Sequence, residues 1–386
     1  MESSLEIERQ IRELARDFAE RELRPNAAEW DRQGELPRRV VDQLAELGFL
    51  GMLIPEEFDG LGITAAAYVA AVEEIAWGDP SVAVAMSVHN SLPTQMILAH
   101  GTTEQKERWL KRMARGEMLG AFALSEAEAG SDAGALAAQA TRTDGGWVLN
   151  GSKAWITNGG FADVVVCMCR TDSAEERKGN RGIGAFIIPT NSAGWVVGKK
   201  EDKMGQRASE TVPVSLHELF VPDDQLLGEP HLGLTYALQG LDGGRLGIAA
   251  LSVGIANAAL QHSISYALQR EQFGKPIAEF EGMRFKLADM ATRIEAARSL
   301  LRSAATAKDS GQAVSALASM AKLFASETAM YVTTQAVQVF GGYGYMKEYP
   351  VEKLFRDAKV TEIYEGTNEI QRIVISRELY AANRTS

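Results

Sequence analysis

The residue types that most often carry chemistry are few in this chain and scattered along it. His89, His100, His217, His231 and His262 stand far apart and read singly as core or surface residues. No Cys/His cluster with metal-ligand spacing is readable, and no Ser-His-Asp arrangement can be argued. Cys167 and Cys169 share one apolar run. Two apart on a strand, they point the same way and are poorly placed to bridge each other. Glycine is more informative. Gly341-Gly342-Tyr343-Gly344 is the nearest approach to a nucleotide-binding loop, yet it follows a helical run and so lacks the dinucleotide-fold context. No Walker loop is present. Gly243-Gly244 falls inside a helical run, where each glycine costs about 1 kcal/mol. The pair marks either a packing contact or the close approach of a ligand.

The elements that position these residues change period twice. Up to about residue 118 the chain reads as helices. Leu5, Ile11, Leu14, Phe18 and Leu23 fall near helical spacing before Pro25, and Pro37 and Gly48 bracket a second helix. Thr64 can cap a third helix over 65–77. Thr102 with Gln105 forms a capping-box pattern ahead of a fourth. From 119 to 228 short β-rich runs replace them. Trp147 to Leu149 and Ala154 to Thr157 read as a hairpin about Asn150-Gly151, with further strands at Val164, Ala185 and Trp195. The polar stretch 172–182 reads as a solvated loop. From 229 to 386 the helical period returns, with helices over about 234–270, 282–308, 314–340 and 370–380. The expected class is α+β: a helical domain (1–118), a middle β-barrel domain (119–228) and a C-terminal four-helix bundle (229–386).

The chain has 386 residues, is 46% hydrophobic and 24% charged, and carries a net charge of −11. That charge makes nucleic acid an unlikely partner. No run of about 18 apolar residues occurs, so no membrane span is expected. The acidic start, Met1 to Glu8, fits neither a secretory signal nor a mitochondrial presequence. With the sparse cysteines, this points to the cytoplasm.

Several segments together resemble the acyl-CoA dehydrogenase family, in family order over essentially the whole chain. Ser125-Glu126-Ala127-Glu128-Ala129-Gly130-Ser131-Asp132 resembles its Thr-Glu-Pro-x-x-Gly-Ser-Asp pattern, and Lys153 to Gly159 its second flavin segment. Leu241-Asp242-Gly243-Gly244-Arg245, Arg270 to Ile277 and Gln338 to Gly342 follow. Arg356-Asp357-Ala358 and Ile363-Tyr364-Glu365-Gly366-Thr367-Asn368-Glu369-Ile370-Gln371-Arg372 complete the set. The resemblance implies an FAD enzyme that removes hydrogens from the α and β carbons of an acyl-CoA thioester. An α-proton beside a thioester is weakly acidic and needs a positioned base and a stabilised enolate. The resemblance places that base at Glu365, whose backbone N–H donates to the thioester carbonyl. Some subfamilies carry the base at the position of Gly244, where glycine cannot serve.

For FAD, the resemblance implies contacts from Phe122, Leu124, Ser125, Gly130 and Ser131, with Trp155, Ile156 and Thr157 beside the ring. Arg270, Phe273 and Glu281, with Gln338, Val339, Phe340, Gly341 and Gly342, bind from a neighbouring subunit; Thr367, Asn368 and Glu369 complete the set. A carboxylate at Glu281, commonly Gln, could accept from a ribose hydroxyl but would repel a pyrophosphate. Ala127-Glu128 replaces the usual Pro-Gly, which alters the expected turn. For the acyl-CoA it implies Ser131, Asp242, Arg245, Tyr364 and Gly366; an intrahelical Asp242–Arg245 ion pair is the plainer alternative. Gln239 is expected at the floor of a short acyl pocket, with Leu92, Pro93 and Thr94 along it. Glu201 resembles the acid that meets an electron-transfer flavoprotein. The whole reads as a homotetramer, a dimer of dimers, taking short straight or branched acyl-CoA. The alternatives are an acyl-CoA oxidase using oxygen and a catalytically silent flavin- or acyl-CoA-binding protein.

Overall fold

A computed structural model describes residues 4–172 and 182–384, so most of the solvated loop expected at 172–182 lies outside the described residues. The N-terminal helices are α1 (Ser4–Phe18), α2 (Ala27–Gln33), α3 (Arg38–Glu46), α4 (Ala65–Gly78), α5 (Pro80–Ser91), α6 (Pro93–His100) and α7 (Thr103–Ala114). Thr102 and Gln105 do form the reciprocal capping box ahead of α7. The sequence reading passed over α2, α5 and α6. Every residue of α5 is buried, so it shows no polar face and no helical period.

The middle strands are β1 (Gly120–Ala123), β2 (Gln139–Thr143), β3 (Gly146–Thr157), β4 (Val164–Arg170), β5 (Ile183–Pro189), β6 (Trp195–Val197), β7 (Thr211–Pro222) and β8 (Leu226–Leu227). They form one eight-stranded sheet in the order β6-β7-β3-β2-β4-β5-β8, with β1 beside β4. The two ends of this path, β6 and β8, are not paired with each other, so the expected barrel is not closed. The expected hairpin is also displaced. Its turn is Asp144-Gly145, with Thr143 opposite Gly146, and β3 runs unbroken through Asn150-Gly151. Asn-Gly and Asp-Gly are equivalent turn signals. Gly151 instead makes a bulge against β7, at φ 146°. A Cβ there would lie 2.7 Å from Ala138. The strand β4 is buried on both faces. Cys167 and Cys169 share the face that Trp147, Phe186 and Val214 also fill, with their sulfurs 3.9 Å apart and free.

The C-terminal part comprises α8 (Gly233–Gln269), a hairpin of β9 (Glu271–Gln272) and β10 (Lys275–Pro276), then α9 (Glu281–Asp309), α10 (Ser315–Phe340), α11 (Pro350–Lys359) and α12 (Asn368–Arg384). The sequence reading missed α11. By length and composition α8 could cross a membrane, but it is the buried centre of the bundle. The two helical parts share one core. Tyr68, Val72 and Ile75 of α4 and Val82 and Met86 of α5 join the same cluster as Leu246, Ile248 and Leu251 of α8 and Ala321, Ala325 and Ala329 of α10.

Buried charges tie α11 to this core. Lys353 donates to Asp79 (3.0 Å) and Asp357 (2.7 Å). Asp79 in turn caps α5 through Ser81 N–H. Arg356 pairs with Asp31 and Glu352. The Arg356-Asp357 pair is thus a structural clamp.

His89 joins α5 to the sheet: the Gly120 N–H donates to its Nδ1 at 2.9 Å. Burial pushes His89 down to about 4, and burial with Arg24 does the same for His262. Both values lie below the ordinary 6.5, so below that pH the unfolded chain binds more protons than the folded one. Stability is therefore lost as pH falls from 6.5 towards 4. The melting temperature is expected to drop through this window, and His89→Asn to flatten the drop.

Candidate active site

The loop before α12 is held in an uncommon backbone conformation. Glu365 has φ 55° and Gly366 φ 87°, a left-handed pair that a non-glycine residue adopts only at a cost of roughly 1–2 kcal/mol. Gln371 Nε2 donates to the carbonyls of Glu365 (3.1 Å) and Gly366 (2.8 Å), and Thr367 Oγ1 accepts from Ile370 N–H at the start of α12. Such strain persists where the surroundings over-determine it, and it gathers at functional sites.

This backbone sends the Glu365 side chain towards α8. A Cβ on Gly244 would lie 2.5 Å from Glu365 Oε2, so the glycine marks the approach of a carboxylate of the chain itself. Oε2 is buried and has no hydrogen-bond partner among the described residues. Burial raises this carboxyl to about 7, against the opposing pull of Arg245 and Lys322. A carboxylate so poised matches a proton transfer near neutral pH. Tyr364, just before it, receives an N–H from Gln206 Nε2 at 3.0 Å, which ties this loop to the loop leading into β7.

Asp242 and Arg245 do form the intrahelical ion pair, at 2.7 Å, and Ser315 Oγ also donates to Asp242. Arg245 is buried, its Nε free of partners. The pair therefore stands beside Glu365. Upstream on α8, Gly240 faces Met96 and Leu92, 3.5 and 3.9 Å from where its Cβ would be. Gln239 departs from expectation. It is exposed and engages His100, which stacks on Tyr236 at 3.8 Å. Thr94 departs too: it is buried, with its hydroxyl donating to the His89 and Asn90 carbonyls. Pro93 opens α6. Leu92 is the member of that trio that approaches α8.

Two segments of the sheet domain lie side by side through the Ala154 N–H, which donates to the Ser125 carbonyl at 2.9 Å. The buried Lys153 braces them, donating to the Leu124 carbonyl (3.2 Å) and to Glu126 (2.7 Å). Glu126 also accepts from the N–H groups of Ala137 and Ala138. The Ala127-Glu128 turn closes by reciprocal bonds between Glu126 and Ala129, so it needs no Pro-Gly. Ser125 and Thr157 are half-buried, while Gly130 and Ser131 are exposed. Trp155 sits at φ 59° on a bulge that leaves its indole 56% exposed. The side chains of Ile156 and Leu124 point into the core, and Phe122 packs partly there. Contact from Ile156 or Leu124 to a ligand is limited to backbone.

A separate cleft of about 530 Å³ lies where α8 ends, walled by Tyr266, Arg270, Gln272, Gly341, Gly342 and Tyr343. Arg270 stands 5.6 Å over the Tyr343 ring. Val339 and Phe340 line the cleft too, but their side chains are mostly buried. At Gly341 and Gly342 a Cβ would meet nothing within 4 Å, which leaves open backbone facing the cleft. Phe273, at φ 52° on the tip of the β9–β10 hairpin, is 93% exposed. Gln338 and Glu281 are exposed, and neither lines the cleft. Asn368 corrects the expected set: its side chain is buried and accepts from Lys322 (2.9 Å) and Ser326 (3.1 Å). Thr367 caps α12, and Glu369 is exposed. The cleft includes none of Ser125, Trp155, Thr157 and Glu365. Within one chain the implied flavin residues thus form two groups. Sequence reasoning gave no role to Lys153, Lys322 or Gln371; Lys153 and Gln371 lie within family-like segments, while nothing in the sequence pointed to Lys322.

Family models for the acyl-CoA dehydrogenase N-terminal, middle and C-terminal domains match residues 6–117, 121–219 and 231–380. The chain is 47% identical over 380 residues to the bovine (Bos taurus) mitochondrial short-chain specific acyl-CoA dehydrogenase, covering 98% of this chain and 92% of that protein. The structure of butyryl-CoA dehydrogenase from Megasphaera elsdenii superposes with a TM-score of 0.95 at 45% identity, covering 97% of this chain and 98% of that one. A chain in a structure described as an electron transferring flavoprotein of Acidaminococcus fermentans, bearing on flavin-based electron bifurcation, matches with a TM-score of 0.95 at 44% identity, covering 97% and 98%.

Proposed function

This chain belongs to the acyl-CoA dehydrogenase family, and we propose that it converts a short acyl-CoA thioester to the trans-2-enoyl-CoA with FAD, passing electrons to an electron-transfer flavoprotein. One observation carries the reading: a buried carboxylate tip at Glu365, unpartnered and raised to about 7, directly over the glycine at 244.

The residues fit the cofactor. Gly341 and Gly342 present open backbone beside Arg270, whose planar fork matches phosphate oxygens. Trp155 offers an exposed ring and Ser125 and Thr157 offer hydroxyls. Held by these residues, FAD would supply the hydride acceptor for the β carbon. Glu365 takes the α-proton on its carboxylate, in a site where water is displaced. Its backbone N–H, on the strained turn, is placed to donate to the thioester carbonyl as negative charge develops there. Asp242 and Ser131 would hold the CoA portion, and Arg245 orients the carboxylate beside it.

The split of the flavin residues into two groups supports a site completed between subunits, and with it a homotetramer. The half-buried Glu201 and the exposed Met204, on the loop into β7, form the face we assign to the electron-transfer flavoprotein. Two free buried cysteines fit a reducing compartment, for which we propose the cytoplasm.

The test is anaerobic flavin reduction with acyl-CoAs from butyryl to dodecanoyl. Butyryl-CoA is expected to give the highest kcat/KM. Each methylene that fits adds roughly 0.8 kcal/mol, and one that clashes loses it. A preference for eight or more carbons overturns the short-chain assignment alone. No bleaching by any acyl-CoA overturns the dehydrogenase reading.

A further inference from the structure

Lys322 lies on α10 and is fully buried. Its ammonium donates to the Gly366 carbonyl at 3.0 Å and to Asn368 Oδ1 at 2.9 Å. Both acceptors are neutral, and both belong to the loop that carries Glu365. A buried ammonium with only neutral partners is costly unless a charge nearby compensates it. The charges that act on it are Glu365, Glu362, Glu369 and Arg245. Glu369 is exposed and Glu362 is engaged by Lys359. Glu365, one residue before the carbonyl that Lys322 holds, is the buried countercharge.

Lys322 is not needed to satisfy that loop's acceptors. Gly366 O also receives Gln371 Nε2 at 2.8 Å, and Asn368 Oδ1 also receives Ser326 Oγ at 3.1 Å. A lysine whose bonds are each duplicated has another use, and its charge is what the duplicates lack.

Building on the reading of Glu365 as the base, we propose that Lys322 is a positioning residue for it. The ammonium pins the Gly366 carbonyl, fixing the left-handed turn. With Arg245 it also supplies the positive potential that keeps the Glu365 carboxylate ionised until the substrate proton arrives. The other groups facing Glu365 are Tyr68 on α4, Asp242 through its pair with Arg245, and Tyr364 beside it. None of these adds positive charge. Burial holds Lys322 down to about 7 against the upward pull of Glu365, and Lys322 in turn pulls Glu365 down, so each group's protonation depends on the other's.

The test uses the FAD-loaded enzyme and stopped-flow flavin reduction by butyryl-CoA from pH 5.5 to 9. Lys322→Met removes both charge and donors, and Lys322→Gln keeps donors without charge. A nearby cation lowers a carboxyl's pKa, so losing it moves the acid limb of the rate profile up, by about one pH unit, in both variants. Lys322→Met also slows reduction at the optimum by about tenfold to a hundredfold through loosened positioning. A limb unmoved in both variants, whatever their melting temperature, overturns the proposal and leaves a packing role. So does failure of both to assemble with FAD, because the duplicated donors leave no acceptor empty. Glu365→Gln separates the two layers. If it still reduces its flavin, the base is misassigned and this inference falls with it. If it is inert while the limb stays put, only Lys322 is misread.

Discussion

Glu365→Gln is expected to give a folded, yellow protein whose flavin butyryl-CoA no longer bleaches. The amide matches the acid in shape, so the contact with Gly244 and the left-handed turn survive. What it lacks is a site for the α-proton. A general base contributes about 10²–10⁴-fold, and the loss in the first-order reduction rate is expected in that range. In the parent the rate is expected to rise with pH through about 7, where Glu365 ionises. The same raised value sets a stability sign. The unfolded chain ionises this carboxyl near 4.5, while the folded one holds its proton to about 7. Ionised Glu365 therefore destabilises the fold above that range. Glu365→Gln is expected to melt above the parent at pH 8 and with it at pH 4. A variant that reduces its flavin within a few-fold of the parent puts the base elsewhere.

Arg270→Ala is expected to lose FAD and subunit association together. The guanidinium lines the open cleft beside Gly341 and Gly342 and stands over the Tyr343 ring. Removing it leaves the fold of one chain intact. Losing the fork that a pyrophosphate would occupy costs about 1.5–3 kcal/mol per charged hydrogen bond, which is a tenfold or greater loss of affinity. The readouts are the 450 nm absorbance per subunit after gel filtration and the mass by light scattering. Normal FAD content at unchanged mass defeats the interfacial assignment.

The architecture was legible in outline from length and composition. The helices α8, α9 and α10 are long Ala-rich runs without a sharp period, α8 and α10 being apolar nearly all round, while the switch to the sheet is marked by short β-rich runs between turn residues. Boundaries inside the sheet were less so. Two turn signals six residues apart, Asp144-Gly145 and Asn150-Gly151, compete on equal terms, and only the pairing of β3 with β7 along its full length decides between them. Glu365, the base we propose, was legible only through its motif, since a lone carboxylate is ordinarily solvated. What set its environment was not legible. Gly244 and Lys322 lie 121 and 43 residues before Glu365 in the sequence, and no local pattern connects them to it. Gln239 failed for a related reason. Its place on α8 could be read, but its bond to His100 comes from a different helix.

The shared core has a bearing on how the chain is made. Of the helices that precede the sheet, α6 and α7 pack on it through Met96, Trp109, Leu110 and Met113, whereas α4 and α5 bury against α8 and α10, which are synthesised after the whole sheet has emerged. Until then α4 and α5, buried along nearly their whole lengths in the finished molecule, have an unmet apolar surface. The sheet brings its own core and can form in the interval. The sheet with α6 and α7 can therefore pack before the C-terminal helices close on α4 and α5. That helix pair is the stretch whose apolar surface waits longest for cover, even though it is made before the sheet.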